Sequence, residues 1–308
     1  MLKKTVLLVL ILLLLLIIVM LVGCGATQDP EDPGGRIVLS SNKPGVRLDP
    51  HIDVQWEVLY ILSAVYDTLI YQAADGSYVP GLATDWEIAD DGTSYIFHLR
   101  EDVTFHDGSP FNAEVVKFNF ERILSFGPRS LKARSLLPNI KSIKILDEYS
   151  IEVRLIESNG FFLFGLSLPY LSMVSSMAVQ KWGDEYHQHQ SGTGPFMFED
   201  YLVGNRFTLV RNPDYNWAPA IYNHNGPAYL QKITWHFLAE PSTRAPALLA
   251  GDVDVAFDLL PTDAQRVGKS PEHIVSIAYL TGQPAFWFLN TKLPPTDDIR
   301  VRQAILHG

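Results

Sequence analysis

The chain has 308 residues with 24 Lys and Arg against 34 Asp and Glu, a formal net charge of −10, and 47% of it is hydrophobic. That acidity disfavours nucleic acid as a partner, while the length and apolar fraction suit a globular protein of two domains. A single cysteine allows no intrachain disulfide and no thiolate metal cluster, so stability has to come from burial.

Lys3 and Lys4 precede an unbroken apolar run from Val6 to Val22, which stops at Leu21-Val-Gly-Cys24 before Gly25-Ala26-Thr27. Basic residues, an apolar core and small residues at its end have the layout of a secretory signal, and the lone cysteine stands where acylation needs a thiol. Residues 1–23 are therefore read as a lipoprotein signal peptide and Cys24 as the lipidated mature N-terminus. An uncleaved anchor is the alternative, because the run sits at the lower edge of a spanning helix. Either reading puts the folded part outside the cytoplasm, tethered to a membrane. Residues 24–35, which include Gln28-Asp-Pro-Glu-Asp-Pro-Gly-Gly35, are polar and rich in proline and glycine and read as a flexible tether.

Arg36 to Ser41 has the pattern of a first strand. Gln55 to Leu69, with Trp56, Leu59, Tyr60, Leu62 and Ala64, predicts an amphipathic helix. In Tyr95-Ile-Phe-His-Leu-Arg100, side chains alternate with a period of two. Tyr95, Phe97 and Leu99 then share one face and Ile96 and His98 the other, as in a half-buried antiparallel strand. His106-Asp-Gly-Ser-Pro110 predicts a turn, and Asn112 caps a helix bearing Val115, Val116, Phe118, Phe120 and Ile123. Lys141 to Ile145 and Ser150 to Leu155 flank Asp147-Glu148 as a hairpin, and Phe196 to Tyr201 with Phe207 to Val210 flank Gly204-Asn205 in the same way. Gln231 to Leu238 predicts a strand, Ser242 to Leu249 a helix, Asp254 to Phe257 a buried strand, and a last helix starts at Asp297. This mixed order argues for an α/β or α+β fold.

The run from Gly81 to Arg122 closely resembles the signature of the family 5 solute-binding proteins, the peptide, dipeptide and nickel receptors of ABC importers. Leu48-Asp-Pro-His51, Val65-Tyr-Asp-Thr-Leu69, Gly192-Thr-Gly-Pro-Phe196, Arg211-Asn-Pro-Asp-Tyr215 and Ala250-Gly-Asp-Val-Asp254 resemble further motifs of that family in the same order. Together they extend the resemblance over about residues 36–308. It implies a periplasmic-binding-protein-like fold of two lobes with an inserted small domain. The first lobe would comprise 36–72 and 194–283, the inserted domain 73–193, and 284–308 the start of a second lobe that is otherwise missing. On that reading the sequence is C-terminally truncated and encodes at most one wall of the cleft.

Function in that architecture is capture. A ligand contacts both lobes only in the closed state, so binding shifts the hinge toward closure, and the loaded receptor docks on a permease driven by an ATPase. The resemblance places ligand-wall positions at Asp53, Gln55 and Trp56, at Tyr170, at Thr193 and Gly194, and at Thr281 and Phe286. Trp56 and Tyr170 would offer flat apolar surfaces and Thr193 a hydroxyl to a peptide main chain, with core packing as the alternative for Trp56 and Phe286. The implied ligand is an oligopeptide or dipeptide and the receptor a monomer. Nickel receptors of the family carry an arginine near the position of Leu168 to Met173; this chain has Pro169-Tyr170 there and no arginine. His187-Gln-His189 has no nearby carboxylate or cysteine in a compact motif, so no metal site and no cofactor is expected. No Gly-x-Ser-x-Gly elbow, His-Glu-x-x-His helix or phosphate loop occurs, and Asp90-Asp91 and Asp252 with Asp254 fall at turns or strand edges, so an enzyme is not expected.

Overall fold

The computed structural model describes residues 35–42, 47–52, 55–277 and 287–307. The chain divides into two compact units, Met1–Asp263 and Ala264–Gly308. Cys24, Asp53, Thr281 and Phe286 lie outside the described residues, so the lipidation site and three of the expected wall positions carry no structural account.

In the first unit, β1 (Arg36–Ser41) lies between two parallel neighbours, β10 (Lys232–Phe237) and β11 (Val255–Ala256). The sheet continues antiparallel through β9 (Arg206–Arg211) to β8 (Phe196–Leu202), giving the order β11-β1-β10-β9-β8. Helix α1 (Trp56–Val65) covers it, and Val58, Ile61, Leu62 and Val65 pack with Phe196, Phe207, Leu209 and Trp235 into one buried core. A second core forms on the antiparallel sheet β4-β5-β7-β6, made of β4 (Ala83–Ile88), β5 (Ser94–Leu99), β7 (Ser150–Leu155) and β6 (Ile140–Asp147). Against it packs α2 (Ala113–Ser125) through Val116, Phe120 and Ile123, with Phe162 and Leu166 of α4 (Phe162–Leu166). Between β5 and β7 in the chain, α3 (Leu131–Leu136) follows α2. Leu59 of α1 belongs to this second core, so one helix feeds both. The small hairpin of β2 (Ile70–Gln72) and β3 (Tyr78–Pro80) joins them, and α5 (Ser176–Trp182) leads back toward β8.

Several local readings hold. Tyr95, Phe97 and Leu99 are buried on β5 while Ile96 and His98 are half-buried. Asn112 caps α2 with Oδ1 accepting from the Val115 N–H at 3.2 Å. The Asp107-Gly108 turn uses a left-handed glycine, φ 81°, with the Asp107 carboxylate accepting from the Ser109 N–H and hydroxyl. Both expected hairpins form, β6 with β7 and β8 with β9.

Three expectations change. Helix α1 ends at Val65, not Leu69, and Tyr66 leaves it extended, because the Val65 carbonyl is taken by the Gly194 N–H at 2.9 Å and the Asp67 carbonyl by the Met173 N–H. Tyr60, expected on the apolar face of α1, is 56% exposed and stacks on Phe257. The strand expected over Asp254 to Phe257 shrinks to Val255–Ala256, half-buried, because it is the sheet's outer strand with β1 as its one neighbour. Helix α6 (Pro241–Ala250) precedes it and stops at left-handed Gly251. Buried Arg244 of α6 donates to the carbonyls of Leu238, Ala239, Phe257 and Asp258, which satisfies the cation without a carboxylate.

Helix α7 (Pro261–Val267) crosses the division between the units. In the second unit α8 (Ile299–His307) matches the helix expected from Asp297, and the Asp298 carboxylate accepts from the Arg300 N–H at its start. None of the side chains of α8 is buried.

Candidate functional site: a buried polar seam beside a charged cavity

The motifs read from the sequence meet in space along a seam of buried polar groups. The Asp49 carboxylate accepts from the His51 N–H and from both terminal nitrogens of Arg122, at 3.1 and 2.7 Å, with both side chains almost fully buried. Burial alone would raise the Asp49 pKa, but the Arg122 charge and its hydrogen bonds outweigh that and hold it below the usual carboxylate value. Since a guanidinium only donates, the Arg122 contact at 2.8 Å makes His51 Nδ1 an acceptor. The proton then sits on Nε2, which donates to the Ser172 carbonyl at 2.9 Å. Burial, and next the Arg122 charge, lower the His51 pKa to about 4, so the ring is neutral. Ser130 donates to the His51 carbonyl, and Asn119 of α2 bonds both the N–H and the carbonyl of Val174.

The second stretch of the seam joins the His106 turn to the Gly192-Thr-Gly loop. His106 donates from Nε2 to the Gly194 carbonyl at 2.9 Å and accepts at Nδ1 from the Gly192 N–H at 3.3 Å, and burial lowers its pKa to about 4. Asp107 accepts from the hydroxyls of Ser109 and Ser175, and Ser175 in turn caps α5 at the Ala178 N–H. The loop lies so close to α1 that a Cβ on Gly192 would sit 2.1 Å from the Val65 carbonyl oxygen and one on Gly194 2.8 Å from it. Only glycine permits that approach.

The third stretch centres on Asp67. Its carboxylate accepts from Tyr71 at 2.7 Å, Thr193 at 2.9 Å, Trp217 at 3.1 Å and Tyr215 at 3.3 Å. All four donors are neutral, and burial raises the Asp67 pKa in spite of them. These bonds tie the strand leaving α1, the returning loop and the segment after Asn212 together. Asn212 itself donates to the Gly194 carbonyl.

The expected wall residues fall into two groups. Gln55 is exposed at the N-terminal cap of α1 and Trp56 is the first residue of that helix. Tyr170, 4% exposed, belongs to the second core; Thr193 is fully buried with its hydroxyl on Asp67; and Gly194 has its N–H on Val65 and its carbonyl under His106 and Asn212. The structure thus buries Tyr170 in the second core and gives Thr193 and Gly194 protein partners, the glycine loop packing onto the end of α1. Arg122 and Trp217 were not singled out from sequence. Each is an unremarkable residue locally, and only its distant partner marks it.

His189 stacks on Trp182 with ring centroids 3.6 Å apart, while His187 donates from Nδ1 to the Asp184 carbonyl. Among the described residues no group of three or more His, Cys, Asp or Glu is arranged to hold a metal ion. Beside the Asp49–Arg122 pair lies a cavity of about 560 Å³ between α2, the turn at 47–52 and the segment from Val179 to His187. Its wall mixes Arg47, Glu121 and Asp184 with Ile52, Phe118, Phe126 and Val179.

Residues 77–308 match the bacterial extracellular solute-binding proteins, family 5, middle region. The chain is 30% identical over 266 residues to the nickel-binding periplasmic protein of Escherichia coli, covering 84% of this chain and 48% of that one. It is 27% identical over 286 residues to the probable D,D-dipeptide-binding periplasmic protein DdpA of the same organism, covering 89% and 52%. The fold is similar to that of the periplasmic binding protein DppA from Helicobacter pylori in complex with the peptide STSA, with a TM-score of 0.68 at 29% identity over 77% of this chain and 49% of that one. The chain spans about half the length of the curated relatives it matches. By sequence and by fold, it belongs to the family 5 bacterial extracellular solute-binding proteins.

Proposed function

We propose that the whole protein is an extracytoplasmic receptor of an ABC importer that captures an oligopeptide or dipeptide by lobe closure and hands it to a membrane permease and its ATPase. The observation that carries the peptide reading is the segment Leu168–Met173, which contains no arginine to pair with an anionic metal chelate and places Tyr170 in the core. The DppA relative with a bound tetrapeptide supports it. The wall on this side of the cleft is the N-terminal end of α1, where Gln55 is exposed and Trp56 begins the helix, with Asp53, Thr281 and Phe286 as further wall positions. Tyr170, Thr193 and Gly194 stand behind that wall and fix it. Cys24 carries the lipid anchor in this reading, and the receptor works as a monomer. Among the described residues no helix is long and apolar enough to cross a membrane.

Calorimetric titration of the intact receptor with di-, tri- and tetrapeptides and with nickel chelates tests the assignment. Saturable peptide binding that weakens on Trp56→Ala is expected. Binding of nickel chelate alone favours the second reading, a metal-chelate receptor, which the nickel-binding relative supports. Mass spectrometry of the mature N-terminus reads the Cys24 modification directly.

A further inference from the structure

No part of the proposed function falls to the cavity beside the Asp49–Arg122 pair. It is formed wholly within the first unit, and its volume of about 560 Å³ is that of a small-molecule site. Its lining carries charges of both signs. Arg47 is half-buried, with no hydrogen-bond or ion-pair partner among the described residues. Arg122 spends its terminal nitrogens on Asp49 and His51 and its Nε is buried, which leaves Arg47 as the cation a ligand would meet.

Glu121 and Asp184 also line the cavity, and their contacts with cations are loose: Lys117 stands 4.0 Å from Glu121 and Arg129 3.8 Å from Asp184, beyond hydrogen-bond distance. The same wall carries apolar groups, among them the rings of Phe118 and Phe126 on α2 and after it. A ligand complementary to this wall carries a carboxylate for Arg47, an ammonium for the acids and an apolar group for the rings. A simple anion would meet two carboxylates, and a simple cation would leave Arg47 unused.

We infer that this cavity binds a free α-amino acid with an apolar side chain as a zwitterion, at a site separate from the peptide cleft. The full 308-residue chain, purified in mild detergent, is titrated with L-phenylalanine by calorimetry near neutral pH. Saturable binding is expected, weakened about tenfold or more for phenylacetate and for 2-phenylethylamine, each of which keeps the ring and one charge. Arg47→Ala and Glu121→Gln should each weaken phenylalanine by about tenfold, and Ser125→Trp, which places an indole at an exposed rim position, should abolish it. Absence of saturation at millimolar phenylalanine overturns the site, as does binding that ignores both Arg47→Ala and Ser125→Trp. Peptide capture by the intact receptor is read separately. Its loss with phenylalanine binding retained sinks the cleft reading and keeps the cavity; the converse sinks the cavity alone.

Discussion

Replacing His51 with glutamine should remove most of one acid-linked loss of stability from the protein. In the folded chain the ring is neutral, since Nδ1 faces the Arg122 guanidinium at 2.8 Å and Nε2–H is spent on the Ser172 carbonyl. A proton added at Nδ1 would set imidazolium against guanidinium in a buried site. Burial and that charge hold the folded pKa at about 4, against 6.5 for the free side chain. The unfolded state therefore takes up the proton first. The contribution is intact above pH 6.5 and is lost as the pH falls from 6.5 toward 4. The full difference is worth about 3 kcal/mol, of which about 2 kcal/mol is gone by pH 5. Glutamine does not titrate, so His51→Gln should be the less stable protein at pH 7, by about 2 kcal/mol for the bonds it cannot remake, and should close that gap by pH 5. Urea unfolding followed by tryptophan fluorescence at both pH values measures the two gaps. His106, held at about 4 by burial, steepens both curves alike and cancels in the comparison. A gap that stays constant between pH 7 and pH 5 would refute the neutral-ring account of the seam.

Asp49→Asn leaves the buried Arg122 cation unpaired and should cost about 3–5 kcal/mol, whereas Asp49→Asn combined with Arg122→Met should recover much of it; equilibrium unfolding of the single and double variants decides. Gly192→Ala drives a Cβ to 2.1 Å from the Val65 carbonyl oxygen and 2.5 Å from the Tyr66 ring, so about 3 kcal/mol or more should be lost, and a variant as stable as the parent would show that the loop does not seat on α1. Asn112→Ala removes the cap of α2 and should lower stability by about 1 kcal/mol, with Asn112→Ser restoring most of it in the same unfolding assay.

What the sequence made legible was local, and what it hid was long-range. The alternation of Tyr95, Phe97 and Leu99, the Asn112 cap and the Asp107-Gly108 turn are each decided by side chains within a few residues, and each appears in the structure. The end of α1 is decided elsewhere: Val65 stops because Gly194, 129 positions later in numbering, supplies its N–H to that carbonyl. Val65, Tyr66, Leu69 and Ile70 are all buried, on both sides of the stop, so their apolar pattern carries no sign of it. The same limit explains Thr193. A threonine between glycines looks available to a peptide main chain until Asp67 is placed beneath it.

The family motifs are legible as a set for a reason the structure supplies. Asp49 of the first needs Arg122 at the end of the long motif; His106 needs the Gly192–Gly194 backbone; Asp67 needs Thr193 and Tyr215. Each motif buries a polar group whose partner lies in another, and a buried group without its partner costs more than the bond gains. The motifs are therefore answerable to one another before they are answerable to any ligand. It follows that changes within them will register first as lost stability. On the proposed function, changes of selectivity are expected at exposed positions such as Gln55 at the head of α1.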